Sequence, residues 1–262
     1  MLGSIKSRSS WEWSATGKHP AAMDYFQLGR VAPLAQAFAA WIESGYQKLL
    51  AKNHAGRKFH SWRFWARGIR KGHIACGVGR DSSDSAGRPY PLLIMGTGTL
   101  PGWEENWDLL TFLFEGIWSQ IEYLASRPPA DLKQLESEIN RINMPIEDWP
   151  ALATQGLRAD GLGHGHNQND HTSTFGSIER AAEALLMRNE LLVSIDSYHD
   201  GDASSLVGFW NRVLKSRTDI VPNAVFMGGI PEQTYLALFT RSLNSSDFER
   251  LWSVSTESQI PV

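Results

Sequence analysis

Arg80 through Arg88 reads RDSSDSAGR, with two aspartates, three serines and two arginines in a row of nine. The run stops at Pro89-Tyr90-Pro91 and gives way to an apolar segment, Leu92 to Met95. Ser82, Ser83 and Ser85 beside Asp81 and Asp84 supply the residue types of nucleophilic hydrolysis. No G-x-S-x-G elbow is present, and no base or oxyanion donor is recognisable beside them. A triad built from distant residues stays open, because triads are defined by geometry and not by chain order. The architectural reading is stronger. Asp84 can accept N–H groups of its own loop, as an Asx turn does. Gly87 can supply a positive φ. Arg88 can fork onto Asp81, Asp84 or Asp24. Pro89 and Pro91 stiffen the entry to a strand that Tyr90 anchors.

Other stretches invite chemistry and meet simpler accounts. In MGTGTLPGWEENW (95–107), Gly96, Gly98 and Gly102 lie between a strand and a helix, the context of a phosphate loop. Their spacing is wrong for a dinucleotide fingerprint, Pro101 removes a donor, and no Lys-Ser/Thr pair follows. His164, His166, Asp170 and His171 are competent metal ligands. The Gly and Asn around them predict a flexible loop, whereas a catalytic metal needs ligands on rigid elements. No metal and no cofactor is assigned. The run 56–73 carries Arg57, Lys58, Arg63, Arg67, Arg70 and Lys71 with no acid. Its aromatic residues could stack on bases, but strand alternation explains it better: Trp62 and Phe64 face the core while Arg63 and Arg67 face water. A solvated face is the first reading of this run, a protein-docking face the second and nucleic acid a distant third. In SATGKHPAAMDYFQLG (14–29), Lys18 and Asp24 are candidate ligands, or an ion pair that fixes a loop anchored by Tyr25 and Phe26.

The bulk properties set the class. The chain has 262 residues, 42% of them hydrophobic and 20% charged, which suits a globular protein with a sizeable core. A net charge of −3 recruits neither nucleic acid nor an anionic membrane. Eleven tryptophans suit bulky core filling. The single cysteine, Cys76, rules out an intrachain disulfide and is compatible with a reducing cytosol. Acidic residues interrupt the most apolar long segment, residues 103–126, so no membrane insertion is expected.

Periodicity predicts the elements. A helix is expected over 34–52, where Leu34, Phe38, Trp41, Ile42, Gly45 and Leu49 share a stripe. Strands are expected over 60–68, 73–79 and 90–96, and a helix over about 104–126. Asp131 caps a further helix. The weakly patterned region 146–176 reads as a boundary or long loop. Ser177 then caps a helix, and strands are expected at 189–196, 205–211 and 223–229. Residues 231–243 read as a helix with Pro231 in its first position. The fold class is α+β, a mostly antiparallel sheet flanked by helices, with a profilin- or longin-like N-terminal half as the suggested kin. The organisation is a flexible tail at 1–13, an α+β domain at 14–126, a helix and Gly/His/Asn-rich loop at 127–176 and a C-terminal subdomain at 177–262.

Two stretches together resemble one family. GKHPAAMDYF (17–26) is similar to the Gly-Lys-x-Pro…Asp-Phe-type motif of the TagF family, accessory proteins of bacterial type VI secretion. SSDSAGRPYPL (82–92) is similar to its Ser-x-Asp-x-x-Gly-Arg-x-Phe/Tyr-Pro-Leu motif. The resemblance covers roughly 14 to 126. It is weaker beyond, at GFWNR (208–212) and GGIPEQTYLALF (228–239), where the family has a Trp-containing strand and a turn into a helix. Ala22-Met23 replaces the family's usual glycine before Asp24, and Ser-Leu-Val-Gly-Phe-Trp replaces its Ser-x-Trp-Trp-like run. The resemblance implies a cytoplasmic, non-enzymatic, post-translational repressor acting through the forkhead-associated (FHA) scaffold protein of the apparatus. It makes Lys18, Asp24, Asp84 and Arg88 motif residues, with Arg63 and Arg67 as the candidate docking charges. The alternative is a hydrolase centred on 79–91 or a metal site at 164–171.

Overall fold

The computed structural model describes residues 11–30, 32–52, 58–127, 131–156, 168–195 and 203–255. Strands β1 (Glu12–Gly17) and β2 (Phe26–Gly29) lead into helix α1 (Pro33–Ala51). The meander β3 (Ser61–Arg67), β4 (His73–Arg80) and β5 (Leu92–Thr99) follows. A 3₁₀ segment (Glu104–Leu109) runs into α2 (Leu110–Ser126), then α3 (Leu132–Ile139), a short 3₁₀ turn and α4 (Trp149–Gly156). Helix α5 (Gln168–Arg188), β6 (Glu190–Ser194), α6 (Ala203–Thr218), β7 (Ala224–Ile230), β8 (Gln233–Phe239) and α7 (Ser245–Leu251) complete the order.

The eight strands form one sheet in the order β2-β1-β5-β4-β3-β7-β8-β6. Every neighbouring pair is antiparallel. The fold is therefore α+β, as expected. The short links within β3-β4-β5 permit this pairing without crossovers. Phe64 pairs with Phe226 and Trp65 with Val225, so the stretches 14–126 and 177–262 share one sheet. Helices cover both faces. Trp62, Phe64, Ala75, Met95 and Phe226 point to the layer of α1 and α7. Trp65, Ile74, Cys76, Val78 and Ile94 point to the opposite layer, which holds α2, α5 and α6. Burial on both faces explains why β4 and β5 are apolar without strict alternation. Six tryptophans (Trp62, Trp65, Trp103, Trp107, Trp118 and Trp210) are among the fully buried side chains, the core-filling use their number suggested.

Local rules hold at several places. Pro33 opens α1, where a missing N–H costs nothing. The Asp131 side chain accepts the Gln134 N–H and caps α3. Asn244 and Asp247 form a capping box on α7. Gly96 and Gly98 are not a phosphate loop. They lie in β5, where an added Cβ would approach the Trp13 ring to 2.8 Å and the Trp11 ring to 2.6 Å. Their lack of a side chain lets two indoles lie on the strand.

Four expectations are corrected. Residues 205–211 are part of helix α6, not a strand. Val207, Trp210, Asn211, Leu214 and Thr218 are buried at helical spacing, and a seven-residue window is too short to show that period. Residues 233–239 are strand β8, not a helix, and Pro231-Glu232 is the turn of a β7–β8 hairpin. A strand buried on both faces is uniformly apolar, so TYLALF carries no alternation to separate it from a buried helix. Ser177 lies inside α5 and does not cap it. Within the expected tail, Trp11 and Trp13 are buried and Glu12 opens β1.

Candidate functional site

The two family-like stretches meet at one end of the sheet. Lys18 follows β1, and its Nζ lies 2.9 Å from Asp84 Oδ2. Arg88 Nε donates to the same oxygen at 2.8 Å. Asp84 Oδ1 accepts the backbone N–H groups of Ala86 and Arg88, both at 3.0 Å. The Asp84 side chain is fully buried. Burial alone would raise its pKa. The hydrogen bonds from Lys18, from the Arg88 and Ala86 backbones and from the Arg88 side chain outweigh burial and hold it at about 2. Gly87 takes φ 76°, the positive value that closes this turn. The Ser85 N–H reaches Ala22 O at 2.8 Å, and Arg88 Nη2 reaches Met23 O at 2.7 Å. The loop 82–91 is thus stitched to the loop 17–26. Asp24 completes the cluster at the surface, 3.4 Å from Arg88 and 3.9 Å from Lys18.

Lys18, Asp24, Asp84 and Arg88 therefore converge as one site. Arg63 and Arg67 do not join it. Arg63 does not face water but the α2 layer, where its Nε and Nη2 fork onto Glu122, both at 2.8 Å. Its Nη1 reaches Glu115 at 2.8 Å, and Ser204 of α6 also bonds Glu115. Burial lowers the Arg63 pKa, but the bonds and charges of Glu122 and Glu115 win and raise it overall. Arg63 is a tie between β3, α2 and α6. Its period-2 position was read correctly, but both faces of the sheet are covered. Arg67 is exposed at the end of β3.

Arg88 does not reach Asp81. Asp81 accepts the Trp252 indole N–H at 2.8 Å and the His60 N–H at 2.8 Å, which fastens the C-terminal segment to the start of β3. An aromatic chain backs the motif: Tyr90 packs on Tyr25 and Tyr46 at 5.6 and 5.0 Å, and its hydroxyl donates to Glu43 at 2.6 Å. His60, Glu43, Tyr46 and Trp252 escaped the sequence reading because their partners are tens to hundreds of positions away. His164 and His166 lie outside the described residues, whereas Asp170 and His171 fall within α5 rather than a loop. Among the described residues no group of three or more metal-ligand types converges. No helix among them is long and apolar enough to cross a membrane.

These features define an α+β protein whose signature residues build a rigid surface loop. Residues 14–142 match the TagF N-terminal domain, type VI secretion system-associated. Its fold is similar to the crystal structure of PA0076 from Pseudomonas aeruginosa PAO1, with a TM-score of 0.52 and 16% identity, covering 95% of this chain and 97% of that one. No curated protein matches the sequence.

Proposed function

We propose that this type VI secretion-associated protein is a non-enzymatic, post-translational repressor that works in the cytoplasm by binding an FHA-domain scaffold. The supporting observation is the state of Asp84. Its carboxylate is buried and accepts from Lys18, Arg88 and two backbone N–H groups, a set of bonds suited to holding a shape. What the shape presents is a surface: Met23 is 85% exposed and Tyr25 48%, beside Asp24 and Arg88. Loops held on rigid scaffolds are the usual place for partner contact. The repressor role and the FHA partner come from the family.

The test is co-purification with the FHA scaffold encoded in the same genome, using the wild-type chain, Met23→Glu and Arg67→Glu. A stable complex weakened by Met23→Glu supports the reading and places the docking face. A complex weakened by Arg67→Glu alone moves that face to the end of β3. No complex in any phosphorylation state of the scaffold removes the partner.

A further inference from the structure

Arg80 ends β4 and points to the α2 layer. One of its N–H groups reaches Ser126 Oγ at 2.6 Å, and the guanidinium lies over the Phe59 ring at 4.8 Å. No carboxylate forms an ion pair with it among the described residues. Burial lowers its pKa, partly offset by the more distant charges of Glu122 and Asp81. A half-buried cation without a direct ion pair carries a desolvation cost that a bound anion would offset.

Arg80 lines a groove of about 510 Å³ together with His19, Asp81, Ser82, Ser83 and Ser126. His19 is 1% exposed, and its Nδ1 accepts the Ala21 N–H at 3.1 Å. That bond places the imidazole proton on Nε2, for which the described residues supply no acceptor. Burial, and then the Arg80 charge, lower the His19 pKa, so the ring is neutral near pH 7. The Ser82 and Ser83 hydroxyls likewise lack protein partners among the described residues. Asp81 is the one acid on the wall, and its oxygens are engaged by Trp252 and His60. The groove thus gathers unspent donors from three segments: the loop after β1, the end of β4 and the loop after it.

We infer that this groove is a binding site for a tetrahedral oxyanion, a phosphate group, held by Arg80, His19 Nε2–H and the Ser82 and Ser83 hydroxyls. A guanidinium supplies charge and directional donors. Neutral donors from other directions match oxygens that a planar carboxylate does not offer. The site lies on the same two loops as the Lys18–Asp84 cluster but uses none of its four residues, and it does not depend on the FHA reading.

The test is calorimetric titration of the full chain with inorganic phosphate at constant ionic strength in chloride. O-phosphoserine and acetate form parallel arms, and the His19 imidazole resonances are followed by NMR. Saturable phosphate binding that raises the apparent His19 pKa is expected. Arg80→Gln should weaken it by about tenfold or more, the worth of a charge-assisted contact. Ser82→Ala/Ser83→Ala should weaken it by roughly threefold to tenfold. The double serine variant removes hydroxyls without protein partners, so it carries the test even if Arg80→Gln does not fold. Phosphoserine binding as tightly as phosphate supports a site for phosphomonoesters, and phosphate alone supports a free-anion site. No binding above chloride, an unmoved His19, acetate binding as tightly as phosphate, or affinity unchanged in both variants overturns the inference.

Discussion

Lys18 and Asp84 are 66 positions apart in sequence, yet the ammonium lies 2.9 Å from a carboxylate that is fully buried. The contact joins the two motif stretches, and its pH dependence follows from the Asp84 pKa. The folded value, about 2, lies below the ordinary 3.8. A carboxyl depressed in the folded state stabilises above its unfolded pKa and loses that contribution as pH falls through the folded one. The stabilisation should therefore be complete above about pH 4 and vanish by about pH 2. Asp84→Asn should lower the melting temperature at pH 7, and its deficit relative to wild type should shrink across that window. A deficit constant from pH 7 to pH 2 would mean that the carboxylate charge is not what holds the loop.

Arg63 should behave as a stabilising residue, unlike a docking charge. Its guanidinium is largely covered, and its removal takes from Glu115 and Glu122 the cation that bonds both. Breaking a fully buried pair costs about 3–5 kcal/mol, and partial exposure of these carboxylates discounts that to about 2 kcal/mol. Arg63→Ala should lower the melting temperature by about 4–8 °C, and Arg67→Ala should leave it within about 1 °C. Equal effects of the two substitutions in thermal denaturation would refute the assignment.

How far the sequence reads depends on where the partners lie. The meander, α1 and the α3 cap follow from local spacing and turn chemistry, and the motif residues Lys18, Asp24, Asp84 and Arg88 stand in the two short stretches that carry the family resemblance. Alternation puts Arg63 on the face opposite Trp62 and Phe64, but that face meets Glu115 and Glu122 of α2 and not water. Strand alternation says which residues share a face, but not that α2 and α6 cover it. The stretch 205–211 within α6 and the strand β8 read as the opposite type because a seven-residue window does not separate the two periods and the rest of the fold covers both. Trp252 on Asp81 and the Arg80 groove depend on elements that meet only when the sheet closes.

Gly96 and Gly98 give a sharp test of packing against ligand binding. The Gly98→Ala methyl group would meet the Trp11 indole at 2.6 Å, inside any normal carbon contact. Overpacking of this kind costs about 1–3 kcal/mol. Gly98→Ala should shift the urea midpoint down and alter tryptophan fluorescence. A phosphate-loop role would instead give a stable variant with lost nucleotide binding.

Cys76 pairs with Gly96 and Trp65 in the middle of the sheet and is fully buried. Burial in apolar surroundings pushes its thiol pKa well up, so little of the reactive thiolate forms. In the native chain Cys76 should be inert to a thiol-specific chromogenic reagent at pH 8, with complete reaction in denaturant. Because access requires the sheet to open, the labelling rate should rise in step with destabilisation, so Arg63→Ala should label faster than wild type at the same urea concentration. Rapid labelling of the native wild-type chain would mean that the sheet opens locally at β4, and the layer order derived from Trp65, Cys76 and Ile94 would fail with it.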